Sequence, residues 1–119
     1  MIENTVFGEM VIDYKAIVDE LASLTMEELY LDYKNDFDER FQNDMIRLQN
    51  AIKLLRKARI AKDDLAVRAA LVYIKIFSMG LANFFDYMKD DTLRLSKALY
   101  TCDMPDNYQV PEHYNFPRY

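Results

Sequence analysis

The sequence predicts an all-α protein: a three- to four-helix bundle built on a long antiparallel helical hairpin, with an extended Pro- and Tyr-rich C-terminal tail. Three observations lead there. The 119 residues include only two glycines and three prolines, and every proline lies after residue 104. A chain so poor in turn-formers favours long helices over strands and tight turns. Apolar side chains recur at steps of three and four along most of residues 9–88, which is the helical period. Charges are also sorted along one segment. Glu27, Glu28, Asp32, Asp36, Asp38, Glu39 and Asp44 lie in its first half, and Arg47, Lys53, Arg56, Lys57, Arg59 and Lys62 in its second. Acids at the start and bases at the end complement a helix dipole.

The first helix is expected over 9–24, where Met10, Tyr14, Ile17, Val18, Leu21 and Leu24 form one face. Thr25 followed by Glu28 is a capping-box pattern and starts the second helix near Met26, running to about 61. Its apolar stripe is Tyr30, Tyr33, Phe37, Phe41, Met45, Leu48, Ile52 and Leu55. The spacing averages close to the straight-helix period, not the heptad of a supercoil, so a straight bundle helix is expected. Asp63 or Asp64 then serves as the N-cap of a third helix over about 64–89, and the short connection makes the two helices antiparallel neighbours.

The third helix is apolar around most of its circumference, with a narrow polar strip through Arg68, Lys75, Ser78, Ala82, Asp86 and Lys89. Such a helix belongs at the centre of a bundle or at an oligomer seam, which makes a homodimer one expectation. Gly80 is expected to permit a close helix approach. A kink or break is expected near residue 90, with Asp90, Asp91 or Thr92 capping a short fourth helix. Pro105, Pro111 and Pro117 then bar helix from the tail. The domain division is 1–100 for the bundle and 101–119 for the tail.

Composition bounds the function. Net charge is −5, which argues against a nucleic-acid binder. Cys102 is alone, so no disulfide forms within the chain, and a reducing, cytoplasmic setting is expected. The N-terminus does not read as a signal peptide. The most apolar stretch, Leu65 to Met88, carries Arg68, Lys75, Asn83 and Asp86, which disfavours a membrane span.

No catalytic, cofactor-binding or metal-binding residues are assigned. Asp32, Asp36 and Glu39 share a helical face but lie opposite the apolar stripe. Glu27 and Glu28 with Asp86 and Asp90 are a thin version of the facing carboxylates that an all-α nucleotide hydrolase needs. Cys102 and His113 have no orienting partner. Two surfaces are left as candidate partner-binding sites. One is the basic flank Lys53, Arg56 and Lys57, joined by Lys62. It suits an acidic protein surface or, as an alternative, nucleic-acid phosphates; its plain reading is dipole complement and solubility. The other is the tail, where Tyr108, Tyr114, Phe116 and Tyr119 stand on a proline-stiffened segment. It docks on a partner or folds back over the third helix. The expected function is therefore binding another protein, as small adaptors, immunity proteins and phage or plasmid inhibitors do.

Overall fold

The computed structural model describes residues 5–99 and 104–119. Tyr100 to Asp103 lie outside the described residues, and with them the expected domain boundary and Cys102. The described residues are all-helical with no strand: α1 (Val6–Glu20), α2 (Phe37–Ile60) and α3 (Asp64–Leu99), with 3-10 turns at Met26–Glu28 and Glu112–Tyr114. At 1.5 Å per residue, α3 is about 54 Å long and sets the 57 Å length of the molecule.

α1 begins three residues earlier than the periodicity indicates, which brings Phe7 into the core. Its own N-cap, Thr5, makes no side-chain cap bond. Asp38, from the first turn of α2, supplies one instead: its carboxylate accepts the Phe7 N–H at 2.9 Å and the Gly8 N–H at 2.8 Å. The last turn of α1 carries Asp19 and Glu20 and no base, which opposes the helix dipole. The helix ends there, and Leu24 packs into the core from the connection.

The largest departure from the sequence expectation is residues 26–36, which do not begin the second helix. The Thr25–Glu28 pattern caps only a single 3-10 turn, with the Thr25 N–H donating to Glu28 Oε2 at 3.2 Å. Leu29, Leu31 and Tyr33 are then buried while Tyr30 and Asp32 are exposed. That alternation comes from a run of bends and a turn, not from the period of a helix. Asp32 accepts the Lys34 N–H at 3.1 Å to form a turn, and Asp36 caps α2 by accepting the Glu39 N–H at 3.0 Å.

What holds this segment open is Asp91 of α3. Its side chain is 0 % exposed. Oδ1 accepts the Tyr30 N–H at 2.7 Å, and Oδ2 accepts the Leu31 N–H at 3.0 Å and the Tyr33 hydroxyl at 2.7 Å. Three residues on, Arg94 Nη1 donates to the Glu28 carbonyl at 2.9 Å. Thr92 Oγ1 donates to the Met88 carbonyl at 2.7 Å, so in its bond with Tyr14 of α1 the tyrosine is the donor. Two of the three residues expected to cap a new helix, Asp91 and Thr92, are thus committed to other parts of the chain, and Asp90 meets only its neighbour Lys89 among the described residues. α3 runs unbroken through residue 90, and no separate fourth helix forms among the described residues.

α2 and α3 meet at a compact turn. Ala61 is the C-cap of α2, and Lys62 takes the left-handed conformation at φ 57°. The Lys62 N–H bonds the Arg59 carbonyl at 3.2 Å and the Asp63 N–H bonds the Ala58 carbonyl at 3.0 Å, a Schellman closure. Asp63 is also the N-cap of α3, accepting the Ala66 N–H at 3.1 Å.

The inward seam of α3, buried or half-buried throughout, is Val67, Ala70, Ile74, Phe77, Leu81, Phe84, Met88, Asp91, Leu95 and Ala98. Its steps alternate three and four without interruption. The α2 seam, Phe37, Phe41, Asp44, Leu48, Ala51, Leu55 and Ala58, does the same. This is the heptad spacing of a coiled coil, not the straight-helix spacing expected. The expected stripe erred by including Tyr30, Met45 and Ile52, which are exposed, while Asp44 and Ala51 face inward. Small residues account for the difference: Ala51, Ala58 and Ala70 are buried and bring the two helices close near the turn.

The core lies at the other end of the pair. There Phe7 packs edge-on against Phe41 and Phe84, with ring centroids 5.4 and 5.3 Å apart, and Phe37 lies 5.3 Å from Phe84. Tyr33 meets Phe37 at 5.6 Å. α1 and the 26–36 segment are both held against α3 at this head end.

Two outcomes follow from Asp91 and Tyr33. Asp91→Ala strands two backbone N–H groups and a phenol, each costing about 1–3 kcal/mol, so urea unfolding should show a loss of about 3 kcal/mol or more. Burial, then the neighbouring Asp91 carboxylate, push the Tyr33 phenol well above its usual range. Its folded pKa is raised, so its contribution is whole below the ordinary tyrosine range of about 10 and is lost as pH rises above it. Urea midpoints should therefore fall above about pH 10, and by less in Tyr33→Phe than in the parent chain.

Candidate interaction surface

The head and the turn end of the α2–α3 pair differ in cover. At the head, α3 has neighbours on several sides. Toward the turn it has only α2 among the described residues. Arg47, Asn50, Ala51, Leu54, Tyr73 and Phe77 border a shallow groove of about 270 Å³ on one flank there. Around the rest of α3, large apolar side chains meet solvent: Leu65 at 75 % exposure, Val72 at 54 %, Ile76 at 52 % and Met79 at 53 %, with Leu71 and Tyr73 beside them. On α2, Met45, Ile46, Ile52 and Ile60 are exposed as well.

The scale of this exposure is visible in the whole molecule. The accessible surface is 9797 Å², whereas a compact monomer of 14.1 kDa exposes about 6,700 Å². The radius of gyration is 19.5 Å against about 13–14 Å for a compact chain of this length. Long helices and an uncovered tail both contribute.

Among the described residues, α3 is the one helix long and apolar enough to cross a membrane by length and composition. Its most apolar 18-residue stretch has a mean hydropathy of 1.7 and is 6 % buried. In a soluble bundle a central helix of this composition is covered on most sides; here it is not. Gly80, expected to admit a close neighbour, has none among the described residues, for a Cβ built on it meets nothing within 4 Å.

The basic residues lie on the outside of α2. Lys53, Arg56 and Lys57 are all exposed, interleaved with Ile52 and Ile60, and Lys62 sits in the turn that closes this end. The dipole account of the charges narrows. Asp36, Asp38 and Glu39 at the start of α2 and Lys57 and Arg59 at its end fit it, but Glu27, Glu28 and Asp32 lie outside the helix. Asp32 is therefore not on a face with Asp36 and Glu39.

In the tail, Tyr108, Tyr114, Phe116 and Tyr119 are exposed, as is every described residue from 104 onward. The tail therefore does not cover α3. It is ordered by local contacts: Arg118 donates to Gln109 at 3.0 Å, and Phe116 and Tyr119 meet edge-on at 5.6 Å. Pro111 precedes a 3-10 turn at Glu112–Tyr114, ended by Asn115 in the left-handed conformation, so the segment is less extended than its prolines suggest.

An open groove of about 500 Å³ runs between Lys15 of α1 and residues 26–34. Among the described residues, no group of three or more His, Cys, Asp or Glu is placed to hold a metal ion. Of the carboxylates considered from the sequence, Glu28 bonds the Thr25 N–H, and Asp86 pairs with Lys89 at 2.9 Å.

No known family, curated protein or solved structure matches this chain.

Lys62 gives this surface a local test. A non-glycine residue in the left-handed region costs about 1 kcal/mol. Lys62→Gly should raise the urea midpoint by a corresponding amount, and any partner that needs the Lys62 charge should bind that variant more weakly even though it is more stable.

Proposed function

We propose that this chain is a small, non-enzymatic protein-binding protein of adaptor or inhibitor type. It acts through the outer surface of its α2–α3 hairpin, with the aromatic tail as a second contact. The observation that carries the reading is the uncovered apolar face of α3 between Leu65 and Met79. A contiguous apolar face of this size on a soluble chain marks a site of interaction, and large apolar side chains at helical spacing are the anchors that a helix or groove on another protein receives. The bases Lys53, Arg56, Lys57 and Lys62 lie at the same end and favour a partner with acids at its rim.

The tail supports the same reading. Tyr108, Tyr114, Phe116 and Tyr119 present large side chains on a backbone that proline restrains, which lowers the ordering cost of binding.

The test is capture of partners from host lysate on the immobilised full chain, compared with a Val72→Glu/Ile76→Glu variant. Both positions are exposed, so the variant should keep the parent's helical circular dichroism. A protein retained by the parent and lost from the variant is the expected result. Identical retention of a protein by the two counts against this face.

A further inference from the structure

We propose that the occupant of the apolar α3 face is a second copy of the chain, paired antiparallel across a twofold axis near residue 74. The proposal rests on the protein-binding reading above and names the partner. Leu65, Ala69, Val72, Ile76 and Met79 lie along the side of α3 away from α2, all exposed. Their steps are four, three, four and three. That is a second heptad seam on the helix whose first seam is already filled by α2, and such a seam receives another helix as knobs into holes.

Its side chains complement themselves when reversed. With the axis near residue 74, Val72 faces Ile76 of the second copy, and the small Ala69 faces the large Met79. Alternation of large and small side chains across a seam lets the layers interdigitate. Gly80, with open space at its Cβ position, comes beside Arg68 of the second copy, whose side chain has room to lie along the bare backbone there. Lys75 falls near the axis, where its aliphatic stem covers the seam and its ammonium reaches water.

Charge selects the antiparallel sense. Continued toward the head, the outer side of α3 carries Asp86 and Asp90, both solvent-accessible and bonded only to Lys89 among the ion pairs here. A parallel pair would set Asp86 and Asp90 against their own copies. The antiparallel pair carries Asp86 to the turn end of the other chain, beside Lys62. It also keeps the two heads at opposite ends, clear of each other.

The area is sufficient. Leu65, Val72, Ile76 and Met79 are each half exposed or more, and Ala69, Arg68 and Lys75 beside them are exposed. With the stems of Arg68 and Lys75 the seam offers on the order of 500 Å² per copy, or about 1,000 Å² for the pair, which reaches the lower bound for a specific interface. A twofold, isologous contact is the commonest way for one patch to be buried by its own copy.

The experiment is sedimentation and light scattering of the full chain over a dilution series. The parent should show twice the 14.1 kDa chain mass, and Ile76→Glu should show the single mass with unchanged helical circular dichroism. Met79→Glu, also at an exposed position, serves if Ile76→Glu does not fold. Orientation is read by oxidative crosslinking on a Cys102→Ser background. Ala69→Cys with Met79→Cys should give a linked dimer, and Ala69→Cys alone should not. The two cysteines lie about 15 Å apart on one helix, too far to bridge within a chain.

A parent that stays monomeric at every concentration overturns the proposal, as does a dimer indifferent to both glutamate variants or crosslinking by Ala69→Cys alone. If the monomeric parent still captures a different protein through Val72 and Ile76, self-pairing falls while the protein-binding reading stands. If it instead sediments with phosphatidylcholine–phosphatidylserine vesicles in an Ile76-dependent way, both fall in favour of a lipid surface.

Discussion

The fold depends on one buried carboxylate. Asp91 occupies a core position of the α3 seam, where an apolar residue is the rule, and its side chain has no access to water. Burial of a carboxylate is costly unless its oxygens are satisfied. Here the donors are two backbone N–H groups and a phenol. They come from a segment sixty residues earlier in the chain. That segment cannot be helical and also present Tyr30 N–H and Leu31 N–H outward to one carboxylate, because those groups would be turned into its own helical bonds. The same turn of α3 holds α1 through Thr92 and Tyr14, and the Glu28 carbonyl through Arg94. Helix continuity, the open 26–36 segment and the seating of α1 are therefore one arrangement and not three.

That arrangement makes the molecule unequal along its length. At the head, aromatic rings from α1, α2, α3 and the 26–36 segment interlock around Phe7 and Phe84. Toward the turn the two long helices, among the described residues, touch only each other, with Ala51, Ala58 and Ala70 buried between them. A two-helix layer has outer faces with nothing to bury them. In most such helices those faces are polar, and in α2 they largely are, with Lys53, Arg56 and Lys57 outward. In α3 they are apolar. Stability thus resides at one end and unsatisfied apolar surface at the other, which is the division expected of a scaffold that presents a binding face on a rigid element.

The candidate surface was partly legible. The apolar circumference of α3 and its polar strip can be read from residue spacing, as can the outward position of Lys53, Arg56 and Lys57 and the aromatic character of the tail. Which side of α3 faces α2 cannot, because two apolar seams run along the same helix, and only packing decides which one α2 takes. Phe7 was missed because it stands one turn ahead of the regular periodicity, and its helix start is capped by Asp38 from another element. A signal for the 26–36 segment did exist. Leu29, Leu31 and Tyr33 alternate with Tyr30 and Asp32, and Asp32, Asn35 and Asp36 are turn-formers. The helical stripe from Phe37 onward overlaps that alternation closely enough to mask it.

By itself the sequence determined the all-helical character, the face of the first helix, and the break at Ala61–Asp63 with an aspartate as the cap of the helix that follows. Each of these rests on residues within a few positions of one another, where local hydrogen bonding and helical period decide the outcome. The tertiary structure decided whether residues 26–36 join α2, whether α3 breaks at residue 90, and which of its faces is left bare. Those questions turn on Asp91 and the groups it meets some sixty residues away. Asp-Asp-Thr before a leucine-rich run reads locally as a helix start. It becomes the middle of one only because donors from elsewhere in the chain take up its side chains.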